Sequence, residues 1–331
     1  MPGMTISFLG TGSGTSTNSA HTVIVYYCDD GTRLLVGASS GNSVALAGFE
    51  LGIPVESIDT VLLSHHHFDH MSGLVYVKQT REQARPDAPP LDVYLTKECL
   101  KWTNQLCRCN PSIGEANQDG VTNVAGRQVL RWHVVEPGQE ISLGPTTAVC
   151  FPAVHIASAV GWRVDSDGMG VVFSADTRFN PELIKASQGA RLLIHGAFRI
   201  DEEKEHAADR GHSTSGEAGR SADKASVGDL ILTHLDTGFS REPQPLIDDA
   251  KKTFQRPRSR RPRPRPSRHK QPIEATDSLV ARLVRECCQL NLVGPAGLVL
   301  AVKVIESLGN LDRVHNHVWL LLGNRQGAGA R

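Results

Sequence analysis

Six consecutive residues constrain this chain more than any others. His65-His66-His67-Phe68-Asp69-His70 follows Ser64, directly after the apolar run 60–63. A short apolar run of that kind reads as a buried strand. The pattern HxHxDH therefore gathers potential metal ligands at the mouth of a strand. His65 and His67 are two positions apart, so in extended chain they project to the same side. Asp69 and His70 open the next turn and can face a second ion. Imidazole together with carboxylate favours zinc or a similar transition metal. The plain alternative is a solvated histidine-rich loop. Only 14 histidines occur among 331 residues, and this cluster sits against a buried strand, so a metal site is the stronger reading.

Two ions need more ligands than one loop offers. His155 follows the run 148–154, Asp176 lies in Ser174-Ala175-Asp176-Thr177, and His234 follows the run 230–233. Each stands directly after an apolar stretch, where open α/β folds display their sites. Taken singly, each would more often be a turn or core residue. Together with the histidine loop they complete a set.

The remaining patterns over roughly the first 250 residues predict strands at 5–9, 22–27, 33–36, 91–95, 129–135, 147–151, 170–174, 192–195 and 230–233. Helices are predicted at 43–51, 72–83, 97–106, 214–225 and 245–254. Strands in a run, then alternating with helices, predict a layered α/β fold. The first strand ends in Gly10-Thr11-Gly12-Ser13-Gly14, and 108–127, rich in Gly, Asn, Ser and Asp, reads as a loop that could contact substrate.

Composition fits this picture. Apolar residues make up 40% and charged residues 21%, as in a soluble globular protein with a sizeable core. No stretch approaches the roughly 18–20 apolar residues of a membrane span. The start MPGMTISFLG lacks a basic region followed by an apolar one, so no secretory signal is read. The seven cysteines, at 28, 99, 107, 109, 150, 287 and 288, form no CxxC pair and read as reduced thiols. A cytoplasmic protein with no membrane partner is expected. The balance of 35 basic and 35 acidic residues hides an asymmetry. Residues 256–270, RPRSRRPRPRPSRHK, carry +8, which leaves the remaining chain at −8. Such a run cannot build a core, because each Pro removes a backbone donor and the like charges repel. It reads as a solvated linker over 256–272. Beyond it, 273–331 reads as a helical or divergent segment, with an amphipathic helix over 277–290 and a second apolar stretch over 298–308.

The histidine loop with His155, Asp176 in SADT and His234 resembles the metallo-β-lactamase superfamily of metallohydrolases. SFLGTGSG, SHHHFDHMSGL, and GHSTSGEAG followed by LILTHL narrow the likeness. They resemble the ribonuclease Z-like branch, which includes tRNA 3′-processing endonucleases, phosphodiesterases and some arylsulfatases. The likeness spans residues 4–254, so 1–255 is expected to be the hydrolase domain. It implies a four-layer αββα sandwich with two zinc ions, or manganese, at one edge of the sheets. His65, His67 and His155 would hold one ion, Asp69, His70 and His234 the other, and Asp176 would bridge them. Two ions about 3.5–4 Å apart share a water, lower its pKa and clamp the oxygens of a phosphoryl or sulfuryl centre. The catalytic candidates are Asp69, which would hold the proton of that shared hydroxide, and His212 in the phrase HST, which would protonate the leaving oxygen. His212 also reads plainly as a helix-entry residue beside Ser213 and Thr214.

The chain departs from the branch in four places. Gly37 in Val36-Gly37-Ala38-Ser39 stands where the branch has Asp supporting the ligands from behind. Gly196 in His195-Gly196-Ala197 stands where the branch has Glu orienting the acid histidine. Only 20 residues separate His155 from Asp176, too few for the tRNA-gripping arm of ribonuclease Z. The Arg/Pro run begins where relatives finish with another strand and helix, which fits an appendage, a divergent end or a frame-shifted reading. The expected function is a binuclear zinc hydrolase of phosphodiester-type bonds in a small or medium ester, using a metal-bridging hydroxide. The alternatives are a tRNA 3′-processing endonuclease, recruiting RNA through 256–270, an arylsulfatase-type ester hydrolase, and a metal-binding relative with little activity. A homodimer is compatible with all of them.

Overall fold

Neighbouring residues of one strand feed different cores here, which dictates a layered molecule. Leu35, Val61 and Leu63 pack into one hydrophobic cluster, whereas Leu34, Val36 and Leu62 pack into another. Side chains alternate across a strand. Both faces of these strands are therefore buried, as near-continuous apolar runs require. The computed structural model describes residues 3–254, 289–293 and 319–320. The linker 256–272 and the stretch 298–308 lie outside the described residues, as does the helix expected over 277–290 except for Gln289 and Leu290, which are strand.

The chain runs β1 (Gly3–Gly10), β2 (Val23–Cys28), β3 (Arg33–Val36), α1 (Ser43–Glu50), β4 (Thr60–Leu62), α2 (Phe68–Met71), α3 (Leu74–Ala84), β5 (Leu91–Leu95), α4 (Lys97–Arg108), β6 (Glu115–Ala116), β7 (Gly120–Thr122) and β8 (Gln128–Val134). It continues β9 (Glu140–Leu143), β10 (Thr146–Pro152), β11 (Val160–Ser166), β12 (Met169–Phe173), α5 (Pro181–Ala186), β13 (Leu192–Gly196), α6 (Lys204–Asp209), α7 (Ser215–Lys224), β14 (Asp229–Thr233), α8 (Thr237–Ser240) and α9 (Gln244–Lys251). Two further strands, β15 (Gln289–Val293) and β16 (Trp319–Leu320), pair antiparallel with β1 and β14. The first sheet has the order β15-β1-β2-β3-β4-β5-β8-β7-β6 and the second β16-β14-β13-β12-β11-β10-β9.

Three clusters separate four layers. Val44 and Ala47 of α1, Val75 and Val77 of α3, and Cys99 and Cys107 of α4 cover the outer face of the first sheet. Met4, Phe8, Trp162, Phe173 and Ile231 fill the space between the sheets. Leu183 of α5, Ala218 and Ala222 of α7, and Leu246 and Ala250 of α9 cover the second sheet. This is the αββα sandwich that the sequence led us to expect. The 108–127 region is not a plain loop: it holds a 3-10 turn at Pro111–Ile113 and the edge strands β6 and β7. Among the described residues, no helix is long and apolar enough to cross a membrane, and the five cysteines there are free.

Candidate metal centre

The histidine loop is anchored to both sheets before it turns. Leu63 N donates to Tyr94 O, while Ser64 O accepts from Val160 N and Leu63 O from the Trp162 indole. The first anchor comes from the first sheet and the other two from the second, so His65 emerges, fully buried, at the seam between them. α2 follows at once, with His67 at its N-cap, Asp69 in its first turn and His70 in its last. From the second sheet, His155 follows β10, Asp176 follows β12 and His234 follows β14. Val154 N donates to Thr177 Oγ1, which ties the His155 turn to the Asp176 turn. Ala175 (φ 53°) and His234 (φ 55°) hold left-handed backbone. Non-glycine residues adopt that conformation at a cost and collect at functional sites.

The structure brings all seven residues together, in two groups that share Asp176. His65, His67, His155 and Asp176 form the first, and Asp69, His70, His234 and Asp176 the second, each with its ligand atoms within 4.8 Å of one another. In the first, His67 Nδ1 lies 3.2 Å from His65 Nε2 and 3.1 Å from His155 Nε2. In the second, His70 Nε2 lies 3.2 Å from a carboxylate oxygen of both Asp69 and Asp176. His234 Nε2 lies 3.3 and 3.1 Å from the same two oxygens.

The donor set suits cations. Both ring nitrogens of His70, Asp176 Oδ1 and His234 Nδ1 are buried with no partner of hydrogen-bond geometry among the described residues. Such orphans are uncommon unless something outside the protein chain satisfies them. Burial, then the neighbouring His70, push His65 well down, so its imidazole is neutral and ready to donate a lone pair. Burial would raise Asp176, but His234 and His70 outweigh it and hold the carboxyl well below the usual range. Burial would likewise lower His70, but Asp176 and Asp69 outweigh it and push its pKa up to about 10. A cation at this point would serve the same carboxylates.

Two glycines fit the ligands closely. A Cβ on Gly14 would stand 2.9 Å from Asp69 Oδ2, and one on Gly211 (φ +81°) 2.6 Å from His155 Nδ1. The Gly211 carbonyl also accepts from His155 Nδ1 at 2.9 Å. His212 comes next, with its ring 5.0 Å from His155, 4.9 Å from His234 and 4.7 Å from Phe198. Its Nδ1 is 3.9 Å from Asp176 Oδ2, and burial pushes its pKa down to about 3. His212 also precedes the cap Thr214 of α7, which forms a capping box with Glu217. Gly37 (φ +73°) precedes Ala38, whose N–H donates to His70 O at 2.8 Å, and a Cβ on Gly196 would stand 3.7 Å from His234 Cβ.

Above the two groups lies a cavity of about 170 Å³. Besides the ligand candidates and His212, Ser13, Gly14, Thr15, Phe198 and Arg210 line it. The 108–127 region, read as a source of substrate contacts, contributes nothing to this lining; β6 places it at the far edge of the first sheet. The sequence reading did not single out Phe198 or Arg210. A glycine-rich turn at 10–14 and the position of Arg210 beside Gly211 and His212 were the available signals.

Comparison with known proteins agrees with this architecture. The family model of the beta-lactamase superfamily domain matches residues 32–235, and the chain belongs to that superfamily. Within it the chain is a ribonuclease Z-like hydrolase. It is 24% identical over 308 residues to the ribonuclease Z of Archaeoglobus fulgidus, covering 76% of this chain and 93% of that one. It is 29% identical over 206 residues to the probable metallo-hydrolase YhfI of Bacillus subtilis, covering 61% of this chain and 75% of the relative. The crystal structure of YhfI matches with a TM-score of 0.63 at 24% identity, over 76% of this chain and 93% of that one. Human tRNase Z, short form, matches with a TM-score of 0.58 at 20% identity, over 71% and 93%. At those identities the structural likeness concerns the fold.

Proposed function

We propose that this chain is a two-metal hydrolase of phosphodiester bonds, loaded with zinc or manganese, and that its natural bond lies in RNA. The observation that carries the reading is the pair of ligand groups joined through Asp176. His65, His67 and His155 would hold one ion, Asp69, His70 and His234 the other, with Asp176 shared. Bound there, two divalent cations supply Lewis acidity toward phosphoryl oxygens and make water a nucleophile near neutral pH. The chain's own residues do the rest. Asp69 orients the attacking water by accepting its proton in a hydrogen bond. Phe198 keeps one wall of the cavity dry, which strengthens every charge interaction inside. His212 stands across the cavity as the donor to the leaving oxygen.

The relatives named ribonuclease Z favour RNA over the small or medium ester expected from sequence. The 20 residues between His155 and Asp176 are consumed largely by the β11–β12 hairpin, so a gripping arm would have to come from elsewhere. A metal-binding relative with little activity is the second reading. It rests on Gly37 and Gly196 and on a His212 too weakly basic to be charged at neutral pH. A panel of chromogenic esters (phosphodiester, phosphomonoester, sulfate, thioester, lactam), assayed with zinc and with manganese, tests the choice. Phosphodiesters should lead. Full metal uptake without turnover of any ester would establish the second reading instead.

We also propose 1–255 as the hydrolase unit, in the cytoplasm. All three clusters described draw on residues 4–254. A chain ending at 255 should bind metal like the full one. Aggregation rescued by adding 271–331 would move the boundary.

A further inference from the structure

Most arginines in the layers around the site are engaged. Arg81 pairs with Asp59, Arg163 with Asp165, Arg191 with Asp229, Arg199 with Glu203 and Asp236, and Arg220 with Asp201. Arg178, close by, donates to the Ala208 carbonyl. Arg210 is different. It lines the cavity over the two ligand groups, it is exposed, and its guanidinium has no ion pair or hydrogen bond among the described residues. Among the described residues it is also the only Arg or Lys in that lining.

Its backbone is nonetheless fixed. Gly211 N donates to Ala208 O and His212 N to Ala207 O, while the Gly211 carbonyl is held by His155. Ser213 Oγ bonds to Thr177 O, next to Asp176. The segment carrying Arg210 is thus tied to the ligand groups on both sides, and a free guanidinium is carried at the mouth. The ions would already neutralise an ester bound at the floor. A further, unpaired cation at the rim is left to meet a second negative group on the substrate. Guanidinium suits a phosphate, which it can bind through two parallel hydrogen bonds.

We propose that Arg210 binds a second phosphate, next to the phosphodiester that is cleaved, and so selects substrates with two neighbouring phosphates. The inference rests on the phosphodiesterase reading above. Its test uses the full chain loaded with zinc or manganese and a matched pair of esters: thymidine 5′-(p-nitrophenyl phosphate) with and without a 3′-phosphate. The 3′-phosphate should raise kcat/KM about tenfold, mainly through KM, as one charge-assisted hydrogen-bonded contact would. Arg210→Ala and Arg210→Gln should bring the ratio close to one, and Arg210→Lys should keep part of it. A wild-type ratio near one, or a ratio that survives Arg210→Ala, would overturn the proposal. So would a fall in both rates with the ratio intact, which would mark a role in holding the His155 turn. If neither ester is hydrolysed, the phosphodiesterase reading fails by itself. Calorimetry then still decides on Arg210: thymidine 3′,5′-bisphosphate should bind more tightly than the 5′-monophosphate to the wild type and not to Arg210→Ala, and equal binding by the wild type would overturn the role. Competition by a short oligoribonucleotide identifies the source of the second phosphate. An oligonucleotide that outcompetes the bisphosphate places it in an RNA strand, and one that does not places it in a small ester.

Discussion

The two ligand groups share Asp176 but differ in what stands behind their imidazoles. In the first, two of the three nitrogens turned away from the centre are held. His65 Nδ1 lies 3.0 Å from Ser64 Oγ, and His155 Nδ1 donates to the Gly211 carbonyl. In the second, His70 Nδ1 and His234 Nδ1 are buried with no hydrogen-bond partner among the described residues. A ligand imidazole is ordinarily oriented through its other nitrogen, and loss of that partner costs about 10–100-fold in metal affinity or activity. The asymmetry agrees with what the sequence resemblance implies for Gly37, at which the branch would place a carboxylate behind the ligands. The two halves of one centre should therefore not hold their ions equally.

The largest expected effect treats both halves alike. Asp176→Ala removes a ligand from each group and leaves six buried or half-buried imidazole and carboxylate groups with no common counter-charge. Metal content should fall by one equivalent or more, and activity by well over the hundredfold that loss of a supporting partner costs. Metal analysis of the purified variant checks this. Full metal content with full rate would mean that Asp176 bridges nothing.

Graded metal removal comes next. Titration with a chelator should strip one ion before the other, with affinities separated by about tenfold or more. His70→Ala should abolish only the weaker step and His65→Ala only the stronger. Two ions leaving in a single step, or the stronger step vanishing with His70→Ala, would break the contrast between the halves.

Gly37→Asp sharpens it. The position has φ +73°, which Asp tolerates better than most residues, and its new Cβ would stand 3.2 Å from the Thr22 carbonyl. Some stability should be lost, on the order of 1 kcal/mol. In exchange the weaker step should tighten about tenfold while the stronger step stays where it was. Tightening of both, or of neither, would show that residue 37 does not serve the His70 side.

The uneven legibility of this chain has physical causes. The seven ligand candidates could be named from sequence because the histidine loop, His155, Asp176 and His234 each come after an apolar run, and the four-layer fold followed from the resemblance they carry. β11 was missed because Gly161, Arg163 and Asp165 interrupt its apolar pattern. Gly161 is there because a Cβ would stand 2.3 Å from the Phe151 ring, and Arg163 and Asp165 pair with each other on the same strand. β6 and β7, two and three residues long, are too short for any period to show. α5 has six residues, and its only signals were the cap Asn180 and Pro181 at its first position. Arg210 had only its place beside Gly211 and His212 to mark it. Whether an arginine finds a carboxylate is decided by tertiary neighbours, which no local pattern records.

The smallest effect concerns Gly196 and the acid. Burial pushes His212 down to about 3, so at neutral pH its uncharged ring offers a leaving oxygen only the hydrogen bond of its remaining N–H. A carboxylate nearby would favour the charged ring and raise that value. Gly196 has ordinary backbone; its Cβ would be 3.1 Å from the Ala175 carbonyl, so a few tenths of an ångström of adjustment admits a side chain beside His234. Gly196→Glu should then raise turnover of esters with poor alkoxide leaving groups severalfold and change nitrophenyl esters little, since those depart without a proton. Comparing the two ester classes isolates protonation from metal binding, which would move both together. Equal gains in both would assign the new carboxylate to the second ligand group through His234. No gain in either would remove Gly196 from the centre and, with it, the case for His212 as the acid.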